Sequence, residues 1–256
     1  MPLLNTRGGG SVRGFGFTQG GFPGIVATGG TITEQGNFYI HTFNGTDTFS
    51  VQKGSTKYPT YNWFIIGAGS GGAGGQLHAF PGCGGAAGYI EEGSATANVG
   101  NYPVVIGAGG AGAITQQVAG QAGNASTIFG NSAAAGGQAG GTSRTGASND
   151  VYSGGTSNNR QTSGGGAGAG QSGSAQNGGN GYPNAIDGVN NVHGGGGGGA
   201  DPPNFSNSGG TGGGGNFAYG PSPATQNRGS GGGGGFVNGG GTGSDGVCFI
   251  KYQVKG

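Results

Sequence analysis

The sequence predicts an all-β fold: a small β-sandwich with a long glycine-rich insertion that forms a polyglycine-II-type bundle. Three observations carry this. Glycine supplies 74 of 256 residues and charged residues only 7%. Helical and doubly wound scaffolds need helix formers, and each Gly costs a helix about 1 kcal/mol relative to Ala. Short runs rich in Val, Ile, Thr, Phe and Tyr recur over residues 31–130 and return near residue 250, bounded by Gly and Asn turn signals. Between them such runs vanish, and glycine blocks alternate with short pieces carrying aromatics, Asn and Pro. Collagen is excluded, because the glycines keep no strict three-residue period and Pro occurs only 10 times.

Taken in order, residues 1–30 lack strong periodicity and read as an extended arm, with Phe15 and Phe17 spaced to face one way and Arg7 and Arg13 beside them. Residues 31–33 begin the strands, and Gly36-Asn37 marks a turn. Residues 38–43 alternate so that Phe38, Ile40 and Thr42 share a face, and Asn44-Gly45 signals a hairpin before residues 46–51. Residues 61–66 read as a buried strand. Residues 89–92, 102–106 and 126–129 follow as shorter ones, and residues 247–254 form the last. About eight strands suffice for a small sandwich. Residues 31–130 plus 246–256 are therefore expected to form the sandwich with its own glycine-rich loops, and residues 131–245 an insertion with displayed loops between its last two strands.

A structureless loop of that length is uncommon in a compact domain. Glycine chain readily adopts polyproline-II geometry, with three residues per turn, a rise of about 3.1 Å and outward-pointing backbone groups. The blocks 164–170, 194–199, 209–215 and 231–235 are expected to pack side by side as strands of one bundle. Ordering each residue costs about 1–2 kcal/mol, with Gly at the high end, so only near-complete backbone pairing can hold such a bundle.

The net charge is +1 and no basic stripe is present, so nucleic acid is not an expected partner. No secretory signal is expected at the N-terminus, and the apolar runs 63–66 and 104–106 are too short to cross a bilayer. Cys83 and Cys248 are read as two buried thiols. The segment 67–72 matches G-x-G-x-x-G after a strand, but no helix follows to receive a pyrophosphate. His41, expected half exposed in a strand, His78 and His193 have no metal-ligand spacing. Glu91 and Glu92 point to opposite faces of a strand and make no carboxylate pair. No active site, metal or cofactor is expected, and the chain is not read as an enzyme.

The pieces between glycine blocks mix aromatics, Asn and Pro, a composition shared with antibody loops. Their candidate binding residues are His78, Phe80, Tyr152, Arg160, Tyr182, His193, Phe205, Phe217, Tyr219 and Arg228. Displayed at the ends of a rigid bundle, they would make a recognition surface.

Residues 28–51, 63–75, 102–112, 125–130 and 243–254 resemble glycine-rich proteins of tailed-bacteriophage particles. The opening Leu4-Asn5-Thr6-Arg7-Gly8-Gly9-Gly10 with Phe15-Gly16-Phe17 is similar to the N-terminal segment of phage tail-fibre-type proteins. The alternation of glycine motifs with variable loops is similar to the tail-fibre adhesins of T-even-like phages, in which a polyglycine-II sandwich presents receptor-recognising loops. The resemblance implies a virion location and a tail-fibre or tail-tip adhesin. Arg7, Arg13, Phe15 and Phe17 would attach it to other virion proteins of the tail, fibre or baseplate. The loops would bind a host-cell surface receptor without covalent chemistry. A homo-oligomer, with a trimer one candidate, would add avidity. The alternative is a virion component without a receptor, such as a head fibre, decoration or tail scaffold protein. An ice-binding or matrix-type polyglycine protein is a third reading, and regular Thr arrays that would support it are not seen.

Overall fold

The computed structural model describes residues 24–76, 81–141, 143–157, 161–200, 207–217, 220, 222–237 and 239–255. It is all-β. The strands are β1 (Val26–Thr28), β2 (Thr31–Gln35), β3 (Phe38–Phe43), β4 (Asp47–Lys53), β5 (Thr60–Ile66), β6 (Ile90–Thr96), β7 (Gly100–Val104), β8 (Ser126–Ile128), β9 (Asn131–Ala133), β10 (Tyr182–Asn184), β11 (Asn191–His193) and β12 (Val247–Gln253). A five-stranded antiparallel sheet has the order β2-β3-β12-β5-β6, and a three-stranded one has the order β1-β4-β7. Two short hairpins, β8-β9 and β10-β11, complete the set.

Turn chemistry explains part of this topology. Gly36-Asn37 closes a two-residue hairpin between β2 and β3, and Gly36 takes φ 58°, the geometry that favours Gly at the first central position. Asn44-Gly45 turns the chain but makes no hairpin. β3 pairs with β2 and β12, whereas β4 pairs with β1 and β7, so this turn carries the chain from one sheet to the other. The expected hairpin there is corrected by burial: Phe43 and Phe49 lie in one core and meet edge to face at 6.5 Å.

The sandwich interior holds Ile25, Phe43, Phe49, Tyr61, Trp63, Ile65, Ile250 and Tyr252 among others. Phe49 is its hub, fully buried and ringed by His41, Phe43, Tyr61 and Tyr252 of the five-stranded sheet and Tyr102 of its own. Phe129 closes the open side. It occupies the β8–β9 turn at φ 52°, a conformation costly for a bulky residue. Its ring stacks on Tyr61 at 4.9 Å and meets Tyr102 at 5.1 Å, and this packing offsets the strain. His41, expected half exposed, is fully buried in the same interior. The carbonyl of Gly29 can only accept, so Nδ1 carries the proton and donates at 2.7 Å, while the Tyr252 hydroxyl donates to Nε2 at 2.9 Å. Cys83 and Cys248 are free, buried thiols in different clusters.

Beyond the sandwich, strands run on as glycine-rich segments. β5 continues into residues 67–75, whose backbone bonds follow a period of three. The N–H groups of Gly67, Ser70 and Ala73 donate to the carbonyls of Tyr89, Ala86 and Cys83. Those of Ala68, Gly71 and Gly74 donate to Asn124, Gln121 and Val118, and those of Gly69 and Gly72 to Ser244 and Gly241. In return, Gly110 and Ala113 donate to Gly69 and Gly72, Gly232 and Gly235 donate to Ser70 and Ala73, and Gly136 donates to Ala68. One segment is thus bonded to six neighbours, and each third residue returns to the same one. That is the bonding of a threefold extended helix whose groups radiate in three directions.

The four blocks expected to form one bundle are bonded to one another. Gly166 donates to Gly197, Gly198 to Gly215, Gly215 to Gly231, and Gly231 to Gly195. The lattice is not confined to residues 131–245, however. Residues 67–75, 82–89, 107–113 and 118–125, all in the expected sandwich portion, bond within it. The glycine-rich segments on both sides of residue 130 thus share one lattice, into which the chain passes directly from β5, β6, β7 and β12.

Where lattice and sandwich meet, the outer face of the five-stranded sheet carries Ile40, Phe64, Ile66, Val247 and Phe249. The β10–β11 hairpin covers it, and His193 packs 5.5 Å from both the Phe64 and Phe249 rings. His193 is 3% exposed, and its ring nitrogens have no hydrogen-bond partner among the described residues. Burial, aided by Arg228, lowers its pKa to about 4, with Asp187 opposing. Burial lowers His41 as well, against the Gly29 bond, which raises it. The sign follows. Above the ordinary value of 6.5 both folded and unfolded chains are neutral here. As pH falls from there towards 4, only the unfolded chain takes up the proton, so stability is lost. Melting between pH 7 and pH 4 should show a loss on the order of 3 kcal/mol from His193. His193→Phe should flatten that slope, and an unchanged slope would show that this ring is not the titrating group.

Candidate binding site

The described site residues do not gather where the sequence put them. Tyr152 and Tyr182 come together on one flank, at the seam between sandwich and lattice. Local bonds set Tyr152: the Asn149 side-chain oxygen accepts from the N–H groups of Val151 and Tyr152 at 3.2 and 2.7 Å, a tight turn of the kind Asn favours. Tyr182 sits in β10, opposite His193 in β11. The hairpin loop is braced by Asn184, whose oxygen accepts from Ile186 N–H at 2.7 Å, and by Asn191, whose amide donates to Asp187 at 2.6 Å.

Tyr182 and Asn184 converge on Glu92 of β6. The Tyr182 hydroxyl donates to Oε1 at 3.1 Å, and the Asn184 amide donates to Oε2 at 3.0 Å. The negative charge and the hydrogen bond of Glu92 raise the Tyr182 pKa, keeping the phenol a donor. Glu92 is exposed and lines two grooves. One, of about 310 Å³, is walled by Tyr89, Glu91, Val151, Tyr152 and Tyr182. The other, of about 650 Å³, is walled by Phe38, Asn62, Asn184, Ile186 and Lys251. The Lys251 ammonium lies 4.9 Å from the centre of the Phe38 ring.

The chain matches the family model of the glycine-rich domain over residues 42–253. It belongs to that family. No curated protein shows detectable similarity to it. The matched span begins within β3 and ends with β12, so the glycine-rich domain takes in sandwich and lattice together, as the continuous backbone bonding does.

The other expected binding residues of this glycine-rich domain are dispersed. His193 and Phe217 are 3% and 4% exposed, which corrects their expected place on displayed loops. Apolar packing is the reason: His193 lies against Phe64 and Phe249, and Phe217 lies edge-on to Phe236 at 6.3 Å beside Ala200. Arg228 is half-buried, and its guanidinium donates to the Val192 carbonyl at 2.8 Å. His78, Phe80, Arg160, Phe205 and Tyr219 lie outside the described residues, as do Arg7, Arg13, Phe15 and Phe17.

Sequence reasoning missed Glu92, Asn184, Asn62, Phe38 and Lys251 as a group. Strand parity held the only clue: Phe38, Asn62, Glu92 and Lys251 each fall on the outer face of their strands. Glu92 and Tyr182 are 90 residues apart, and no local pattern joins them.

Proposed function

We propose that this glycine-rich domain is a structural protein of a bacteriophage particle, a tail-fibre or tail-tip adhesin that binds a host-cell surface receptor non-covalently. The observation that carries the reading is the return of the lattice segments. Residues 67–75 lead away from β5 and residues 82–89 lead back to β6, about 28 Å of threefold helix on the outward path and about 25 Å on the return. At the remote end, Ser163 donates to Ala200 through its N–H at 2.8 Å and to Gly82 through its hydroxyl at 2.7 Å, and Gly82 N–H donates to Gly235 at 3.0 Å. These residues flank the pieces containing His78, Phe80, Arg160 and Phe205. A lattice that ties together the residues flanking such pieces suits recognition, because the scaffold bears the ordering entropy before the partner arrives.

In this reading the arm with Arg7, Arg13, Phe15 and Phe17 joins the chain to neighbouring virion proteins, and several copies supply avidity. The test is binding of purified full-length protein to intact host cells beside receptor-stripped ones. Saturable binding that stripping removes is the expected result. A folded, multimeric sample that binds neither would leave a virion component without a receptor, such as a head fibre, decoration or tail scaffold protein.

A further inference from the structure

We propose that the double groove at the seam, centred on Glu92, binds a short oligosaccharide.

The argument starts with what the walls offer. Tyr152 and Tyr182 present aromatic surface on one side of Glu92, and Phe38 does so on the other. Between them stand a carboxylate, two amides from Asn62 and Asn184, and one ammonium from Lys251. A sugar ring has an apolar C–H face and a rim of hydroxyls that both donate and accept. The C–H face packs on aromatic surface, while the rim meets carboxylate and amide groups that would otherwise lose water unpaired.

Other ligand classes fit these walls less well. An apolar ligand would desolvate the remaining lone pairs of Glu92 and the Asn62 amide without pairing them. An anion would find a single ammonium, already set over the Phe38 ring. A metal ion would find two carboxylates, Glu91 and Glu92, on opposite faces of β6, the oxygens of Glu92 already holding an O–H and an N–H donor, and no group of three metal-ligating side chains occurs among the described residues.

Glu92 is also pre-oriented. A carboxylate has about four lone-pair sites, and Tyr182 and Asn184 occupy one on each oxygen, so each oxygen keeps a site for a sugar hydroxyl. The two anchoring side chains come from β10, which is itself held by the packing of the hairpin on the sheet. The geometry is therefore in place before a ligand arrives. The two grooves meet at Glu92 and together give the space of an ordinary ligand site, with room for more than one ring.

The inference rests on the groove alone. It stands or falls separately from attachment to a host cell, since a virion component without a receptor could carry the groove and an adhesin could use only its loops. The experiment is saturation-transfer NMR on the full chain with defined mono- to trisaccharides, neutral and uronic-acid-bearing, at millimolar concentration, beside a panel of extended peptides. Binding of at least one saccharide is expected. Glu92→Gln should weaken it at least about tenfold, as loss of a hydrogen bond to a charged group does. Tyr152→Ala and Lys251→Met should weaken it from the two ends of the groove. Glu92 is exposed, so its variant should stay folded, and its melting curve separates a loss of binding from a loss of the fold. The proposal is overturned if the folded chain binds no saccharide in the panel, if all three variants bind as well as wild type, or if only peptides bind, which would indicate strand addition at the free edge of β6.

Discussion

Gly196→Val should unfold the domain or leave it insoluble. A Cβ at Gly196 would overlap the carbonyl oxygen of Gly166 and lie 2.6 Å from that of Ala167. Both carbonyls belong to the neighbouring segment, so no flexible side chain can move aside. Gly196 also donates to Gly179 and accepts from Gly210, at 2.9 and 2.8 Å. Relieving the clash means pulling segments apart and leaving buried groups unpaired at about 1–3 kcal/mol each, beyond about 1–3 kcal/mol for overpacking. The total is on the order of 5 kcal/mol, comparable to the whole stability of a typical domain. Gly45→Ala is the matched control: nothing lies within 4 Å of its would-be Cβ. It should move stability by less than about 1 kcal/mol. Denaturation midpoints of the two variants check both expectations, and an unshifted Gly196→Val midpoint would mean the lattice around residues 194–199 does not exist.

Phe49→Ala should cost about 3–5 kcal/mol, the range for truncating a fully buried aromatic. Its ring lies within 6.5 Å, centre to centre, of His41, Phe43, Tyr61, Tyr102, Phe129 and Tyr252. These neighbours come from both sheets and from the β8–β9 turn, so the cavity would lie where the sandwich is tied together. Ile114→Ala truncates an apolar side chain at a site 88% exposed and should change stability by less than about 0.5 kcal/mol. Equal midpoints for the two variants would contradict the hub role of Phe49.

The strands that could be read from the sequence share one property. β3, β5 and β12 are rich in β-branched and aromatic residues, and their inner faces alternate cleanly in the part that packs against the second sheet. The β10–β11 hairpin could not be read. Tyr182-Pro183-Asn184 and Asn191-Val192-His193 are short and polar, and one contains Pro. They are extended because Tyr182, Ile186 and His193 cover the apolar outer face around Phe64 and Phe249, a demand set by the other end of the chain. The candidate site divides the same way. Tyr152 and Tyr182 stood out as aromatics between glycine blocks, whereas Glu92 and Asn184 gained their roles only through a hydrogen-bonded meeting of β6 with β10.

By itself, the sequence determined that the chain would be all-β, that its apolar runs would build a sandwich, and that its glycine blocks could be ordered only by packing against one another. These follow from local chemistry: β-branched and aromatic residues favour the pleated sheet, and Gly disfavours helix while allowing backbones to touch. Only the tertiary structure decided which glycine segment pairs with which, where the lattice ends and which side chains share the seam. Glycine has no side chain with which to encode a partner, so the choice passes to the strands that launch each segment. The positions of β5, β6, β7 and β12 in the sandwich set the starting points of the lattice, and the threefold bonding carries that arrangement outward.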